Sequence, residues 1–262
     1  MTAVTAVPAA LSVLSDIAWP GVTALALGAV AFLGGGLVKG LLGIGLPLVA
    51  LPILSFVYTP TQAIGMVAVP VLLSNFYQAW DTGVSWPGVK RFLPLIVMLV
   101  LATIVTVPLT LSLPEATLRR VLAALVLLAL VLNAMPLRLN VPPAQERWWS
   151  ALVGLLSGVM GGVSSLTGPI IISYLMSLRL AREVFVGTVS AIYLAGALPL
   201  YGSMALQGRF TLRELLLSAL ALLPMAVGMT AGKHLRGKLS EELFRRALLA
   251  FLGLLALLLI FK

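Results

Sequence analysis

Two stretches of this chain gather the residue types that can hold an anion. The first reads Gly34-Gly35-Gly36-Leu37-Val38-Lys39-Gly40-Leu41-Leu42-Gly43-Ile44-Gly45-Leu46-Pro47. The second reads Ser157-Gly158-Val159-Met160-Gly161-Gly162-Val163-Ser164-Ser165-Leu166-Thr167-Gly168-Pro169. Gly costs about 1 kcal/mol per helix position relative to Ala, and Pro about 3. So many of them, ending in Pro at the equivalent place, predict a broken helix. Both stretches lie in long apolar surroundings, and irregular backbone at membrane depth persists only where protein or a water-filled cavity covers it. Proline suits the first helical turn, so Pro47 and Pro169 read as the starts of half-helices. Such a start offers unpaired N–H groups and a partial positive charge, which suit an anion. The candidate binding residues here are Gly36, Lys39, Gly43, Gly45 and Pro47, with Gly162, Ser164, Ser165, Thr167, Gly168 and Pro169.

Each has a plainer reading beside it. Gly36/Gly40 and Gly158/Gly162 have small-xxx-small spacing, which serves close helix packing. Lys39 is the single charge in the apolar bulk. A charge near the bilayer centre costs about 3 kcal/mol and usually faces a cavity, although near an interface it would snorkel to water. Ser164, Ser165 and Thr167 are placed to donate to oxyanion oxygens or to bond their own helix carbonyls. Asn75, with Gln78 three residues on, shares one helix face; Thr188, Ser190 and Tyr193 stand at the corresponding place later in the chain. Asn75 and Thr188 join the candidate set.

The elements that position these residues follow from composition. Of 262 residues, 61% are hydrophobic and 10% are charged, against about 25% charged in a soluble domain. A soluble fold of this size would need more polar surface. The composition excludes a soluble enzyme, a disordered chain and a nucleic-acid binder, and leaves an all-α integral membrane protein. There is no cysteine, so disulfides and thiol chemistry are excluded, and no cofactor is implied. Apolar segments of spanning or near-spanning length fall near 22–38, 41–57, 61–80, 91–111 and 116–135. A second set falls near 149–160, 163–178, 183–204, 212–232 and 243–261.

The two sets read as a duplication. An offset of 122 positions pairs Gly36 with Gly158, Gly40 with Gly162, Pro47 with Pro169, Ser55 with Ser177, Gly65 with Gly187 and Arg91 with Arg213. The expected layout is an N-terminal tail (1–20), a first transmembrane repeat (21–136), a linker (137–147) and a second repeat (148–262). Each repeat holds a glycine-broken pair of short helices plus three spanning helices, as internal repeats in transporters do. An odd number of crossings per half inverts the repeats. It also puts Lys90, Arg91, Arg138, Arg147, Arg179, Arg182, Lys233, Arg236, Lys238, Arg245 and Arg246 on one face, against Arg119, Arg120, Arg209, Arg213 and Lys262 on the other. Four crossings per half would balance the faces more evenly. The positive-inside rule therefore favours inverted repeats, with both termini outside the cytoplasm. On this reading the net charge of +9 states orientation rather than a nucleic-acid partner. Trp80, Trp86, Trp148 and Trp149 read as interfacial anchors.

The acidic residues Asp81, Glu115, Glu146, Glu183, Glu214, Glu241 and Glu242 all fall at segment ends or in loops. The one histidine, His234, lies in a basic loop. Nothing here supports an intramembrane enzyme, and the missing carboxylates argue against a bare cation as ligand. An anion leaving a negative-inside cell gains about 2.3 kcal/mol per charge per 100 mV, so its export needs no coupling proton in principle.

At Gly34–Pro47 with the following Gln62-Ala63-Ile64-Gly65, and at Gly158–Pro169 with the following Val186-Gly187-Thr188, the sequence resembles the sulfite exporter TauE/SafE family, also called the 4-toluene sulfonate uptake permease family. Lys39 departs from the small-residue run expected there. The resemblance implies a multi-pass inner-membrane permease for small sulfur-containing anions, such as sulfite or organosulfonates. The expected partners are a small anionic substrate and the lipid bilayer, and a homodimer is compatible with the sequence. Two other readings stay open: a channel-like anion pore, and a non-transporting membrane scaffold.

Overall fold

The computed structural model describes residues 20–134 and 141–235 and the single positions 238, 250 and 253. The expected tail apart from Pro20, residues 137–140 of the expected linker, and nearly all of the last expected span (243–261) lie outside the described residues. Within them the chain is all-helical, with no strand. The first half gives α1 (Val22–Leu42), α2 (Leu46–Leu54), α3 (Pro60–Met66), α4 (Ala68–Asp81), α5 (Trp86–Lys90), α6 (Leu93–Leu111) and α7 (Glu115–Ala134). After a 3₁₀ turn at Pro143–Gln145 come α8 (Glu146–Ser164), α9 (Gly168–Ser177), α10 (Arg182–Leu206), α11 (Leu212–Leu220) and α12 (Leu222–Leu235).

Five segments are long and apolar enough to cross a membrane: Val22–Leu42, Pro60–Asp81, Leu93–Leu111, Glu183–Leu206 and Leu212–Leu235. Two of them are pairs of helices in line. Pro70 and Pro224 each sit third in their helix, where a ring cannot donate to the preceding turn and clashes with it, so the chain breaks at Val67 and Ala221. The Val69 N–H beside the first break donates to Ser218 Oγ at 2.9 Å. Capping boxes start α3 (Thr59 with Gln62) and α11 (Thr211 with Glu214). Leu33, Leu101, Val105, Leu109, Leu198, Leu223 and Val227 are exposed along these segments, as a lipid-facing surface requires. Trp80, Trp86 and Trp148 are exposed at helix ends. The chain is a multi-pass helical membrane protein.

The glycine runs do not break their helices where their number predicts. α1 passes unbroken through Gly34–Gly40, and the chain turns only at Gly43–Gly45; α8 likewise runs on to Ser164. The first member of each pair is therefore a long helix, and only α2 and α9 are short. Packing explains why. α1 lies along α12 so closely that a Cβ on Gly36 would come within 2.3 Å of Met225 O, and one on Gly40 within 2.3 Å of Met229 O. α8 lies equally close to α6, with a Cβ on Gly158 reaching 2.5 Å from Leu99 O. The contact positions advance together along both members of each pair, so each pair is parallel. Dispersion contacts between backbones compensate what glycine loses in helix propensity.

The halves also meet through ions. Arg91 donates to both carboxylate oxygens of Glu146, at 2.5 and 2.7 Å. These hydrogen bonds, and then the guanidinium charge, hold the Glu146 carboxyl below the usual carboxylate range. Lys233 reaches Asp81 at 3.3 Å and lies over the Tyr77 ring. The larger apolar core gathers around α2, α3, α7 and the later part of α10. A smaller one joins α6, α9 and the first part of α10.

Candidate functional site

A cavity of about 740 Å³ lies where the two short helices begin. At the first break, Gly43 (φ +84°) and Gly45 (φ +100°) adopt left-handed backbone that a side chain would strain. This turn starts α2 with Pro47 in second place. At the second break Ser165 takes the left-handed conformation (φ +59°), and α9 starts with Pro169 in second place. The prolines thus sit in the first turns that the sequence predicts for them. Among the first three positions of each helix, proline leaves two N–H groups without an intrahelical acceptor, on Leu46 and Leu48 and on Gly168 and Ile170. All of these but Ile170 line the cavity.

Lys39, on the last turn of α1, is 2% exposed, and its Nζ donates to Asn75 Oδ1 on α4 at 2.6 Å. Both residues line the cavity. Among the described residues no carboxylate pairs with Lys39, and no acidic residue lines the cavity. A buried ammonium is stable only when paired or hydrogen-bonded, and one neutral acceptor leaves two of its three donors for a ligand. The helix N-termini add positive potential from two further directions. Ser165, which also lines the cavity, has its Oγ hydrogen-bonded with Tyr201 Oη at 3.1 Å. Among the described residues Tyr193 Oη, which is buried, has no hydrogen-bond partner; it sits over the first residue of α9, where a Cβ on Gly168 would be 2.6 Å away.

Of the residues expected from sequence, Lys39, Gly45, Pro47, Asn75, Ser165, Thr167, Gly168 and Pro169 are brought together around this cavity. Gly36 and Gly162 are not: Gly36 faces α12, and Gly162 faces Thr106 on α6. Gly43 supports the turn and abuts Val186. Ser164 Oγ donates to Met160 O and accepts from Leu166 N, closing the end of α8. Thr188 is fully buried, its hydroxyl without a partner among the described residues, on the part of α10 where Ser190 donates to Gln78. Arg179, read from sequence only as a topology charge, also lines the cavity.

The offset of 122 gains a structural meaning here. Lys39 corresponds to Gly161, Gly45 to Thr167, Leu46 to Gly168, Pro47 to Pro169, Val71 to Tyr193 and Asn75 to Ala197, and every one of these residues lines the cavity. Side-chain bulk is exchanged between the halves. Gly161 stands where a Cβ would lie 2.1 Å from the Thr167 methyl, so the lysine-and-glycine pair of one half is a glycine-and-threonine pair in the other. Leu46 with Val71 is matched in the same way by Gly168 with Tyr193.

Residues 27–259 match the model of the family described as sulfite exporter TauE/SafE. No curated protein and no solved structure gives a match. The family match spans both broken helices and the spans around them, and the chain belongs to the sulfite exporter TauE/SafE family, a family of membrane transporters for sulfur anions.

Proposed function

We propose that the chain is an inner-membrane permease for small sulfur-containing or related organic anions, with the anion held between Lys39 and the N-termini of α2 and α9. The observation that carries this reading is Lys39: a buried lysine with one neutral partner among the described residues, in a cavity lined by the starts of both short helices. Ser165, Thr167, Gly45 and Gly168 give the ligand hydroxyl donors or close backbone approach.

The cavity bears on substrate size. A water occupies about 30 Å³, so a bare sulfite fills roughly a tenth of 740 Å³. Much of the wall is apolar, with Leu48, Ile172, Leu175, Met176, Phe185 and Leu200 among its residues. An organosulfonate puts its head group at Lys39 and its body against these side chains, and is the better fit.

Alternating access accounts for an imbalance between the two short helices. α2 is buried along nearly its whole length, whereas α9 carries much of the cavity wall. Inverted repeats with both termini outside the cytoplasm would let the halves trade these roles by rocking. The test is flux of labelled sulfite and labelled benzenesulfonate from liposomes holding the purified chain. Saturable flux of both, with the lower KM for benzenesulfonate, is expected. Absence of anion flux alongside cation flux would overturn the proposal, and currents far above carrier turnover would select a pore instead.

A further inference from the structure

Two charged residues line the cavity, one buried and one exposed. Lys39 is 2% exposed, while Met176 is 65% exposed and Arg179 is exposed too. Gly168 and Arg179 are separated by one length of α9, about 16 Å at helical rise. Leu180 and Phe185 also line the cavity.

Arg179 holds its place at a conformational cost. Among the described residues only two that are not glycine have left-handed backbone, Ser165 (φ +59°) and Arg179 (φ +51°). Both line the cavity, at opposite ends of α9. Ser165 forms the turn at the second break. Arg179 follows the end of α9, where its N–H donates to Met176 O at 3.2 Å. Glycine fills that capping position without strain, and a long side chain does not. The cap therefore gives no reason for arginine. What arginine adds is a guanidinium at the cavity mouth, and among the described residues no carboxylate pairs with it. Uncommon backbone geometry of this kind gathers at binding sites. The position equivalent to Arg179 in the first half is Val57, so this charge, like Lys39, belongs to one half only.

We propose that Arg179 is a second anion station, which captures the anionic head group of the substrate at the mouth before it passes to Lys39. The inference rests on the reading of the cavity as the substrate site. A guanidinium engages two oxygens of a sulfonate side by side. In an exposed position it raises local anion concentration and capture rate, and salt screens that effect. Arg179 thus governs KM at low ionic strength and leaves the maximal rate to the rocking step.

The experiment measures initial rates of labelled benzenesulfonate uptake into liposomes holding the full chain, at low and at high salt. It compares wild type with Arg179→Gln, Arg179→Lys and Arg179→Gly, and takes Lys39→Gln as reference. Arg179→Gln is expected to raise KM five- to twentyfold at low salt, to leave the maximal rate within twofold, and to lose most of its effect at high salt. Arg179→Lys keeps most of the wild-type KM. Arg179→Gly matches the glutamine variant in KM while its thermal unfolding midpoint equals or exceeds wild type, because glycine suits the backbone. A KM within twofold of wild type for both uncharged variants, with flux lost in Lys39→Gln, overturns the capture role and leaves the central site standing. A fall in maximal rate at unchanged KM, or a KM shift indifferent to salt, also overturns it. Undiminished flux in Lys39→Gln overturns the site reading and this inference together.

Discussion

The two short helices, α2 and α9, are built to one plan and furnished differently. Each follows a glycine-rich long helix, turns through left-handed backbone, and carries proline in its second place. The α2 side brings a cation and its amide partner, Lys39 and Asn75; the α9 side brings hydroxyls, Ser165, Thr167 and Tyr193. At Lys39 and Gly161, Leu46 and Gly168, and Asn75 and Ala197, one half places a large group in the cavity wall and the other a small one. The halves share what builds the cavity and divide the polar groups that line it. A duplicated scaffold can therefore hold an asymmetric ligand, with the charge at one pole and adaptable hydrogen bonds at the other.

Breaking what the halves share should do the most damage. A Cβ on Gly40 would lie 2.3 Å from Met229 O, and one on Gly158 2.5 Å from Leu99 O. Both obstacles are backbone and cannot rotate aside. Gly40→Ala and Gly158→Ala are each expected to cost about 3 kcal/mol, seen as a large drop in the thermal unfolding midpoint of the purified protein. Gly34→Ala, whose Cβ would meet only Val49 Cγ1 at 3.6 Å, should cost nothing measurable. Similar losses in all three would show that helix contact does not depend on these particular glycines.

Breaking what the halves divide should spare the fold and separate the poles. Lys39→Gln keeps a donor for Asn75 and removes the charge. Losing a charged hydrogen bond of up to about 3 kcal/mol corresponds to roughly a hundredfold fall in benzenesulfonate flux. Tyr193→Phe removes one neutral donor, worth about 1 kcal/mol, and should reduce flux about fivefold. Equal losses from the two would erase the proposed division between a charged pole and a hydroxyl pole.

The smallest effect concerns a surface pair that ties the halves together. Glu146 has its folded-state pKa depressed by Arg91. Its contribution is therefore present above the unfolded-state value near 4.5 and is lost as pH falls through the lower folded value. Arg91 is half exposed, so the gain is under about 1 kcal/mol. Comparing the unfolding midpoints of wild type and Glu146→Gln should show a small advantage for wild type at pH 7 that closes in the acid range. The corresponding arginine, Arg213, has its Nε buried without a hydrogen-bond partner among the described residues.

Much of this was legible in sequence because its causes are local. Apolar run length fixes the spans, and Pro47 and Pro169 fix where α2 and α9 begin. The offset of 122, read from glycines, prolines and arginines, also pairs residues on the cavity wall that share no chemistry, such as Lys39 with Gly161. What sequence misplaced depends on partners far along the chain. Gly36 and Gly162 look like a break until α12 and α6 are seen against them. Ser164 looks like a ligand until its hydroxyl is seen to close α8. Arg179 looks like a topology signal until α9 sets it at the mouth of the cavity. Helix propensity counts what a glycine costs its own helix, and the neighbouring backbone that compensates is absent from that count.

The central claim is that an anion sits at Lys39 between the starts of α2 and α9. The most direct measurement is an experimental structure of the full chain with a bromine-labelled sulfonate, located by its anomalous signal. The account predicts one sulfonate per chain within hydrogen-bonding distance of Lys39 Nζ, its brominated body lying along α9 toward Arg179. A chain that carries this compound in liposomes, yet binds it elsewhere and leaves Lys39 without it, would contradict the account.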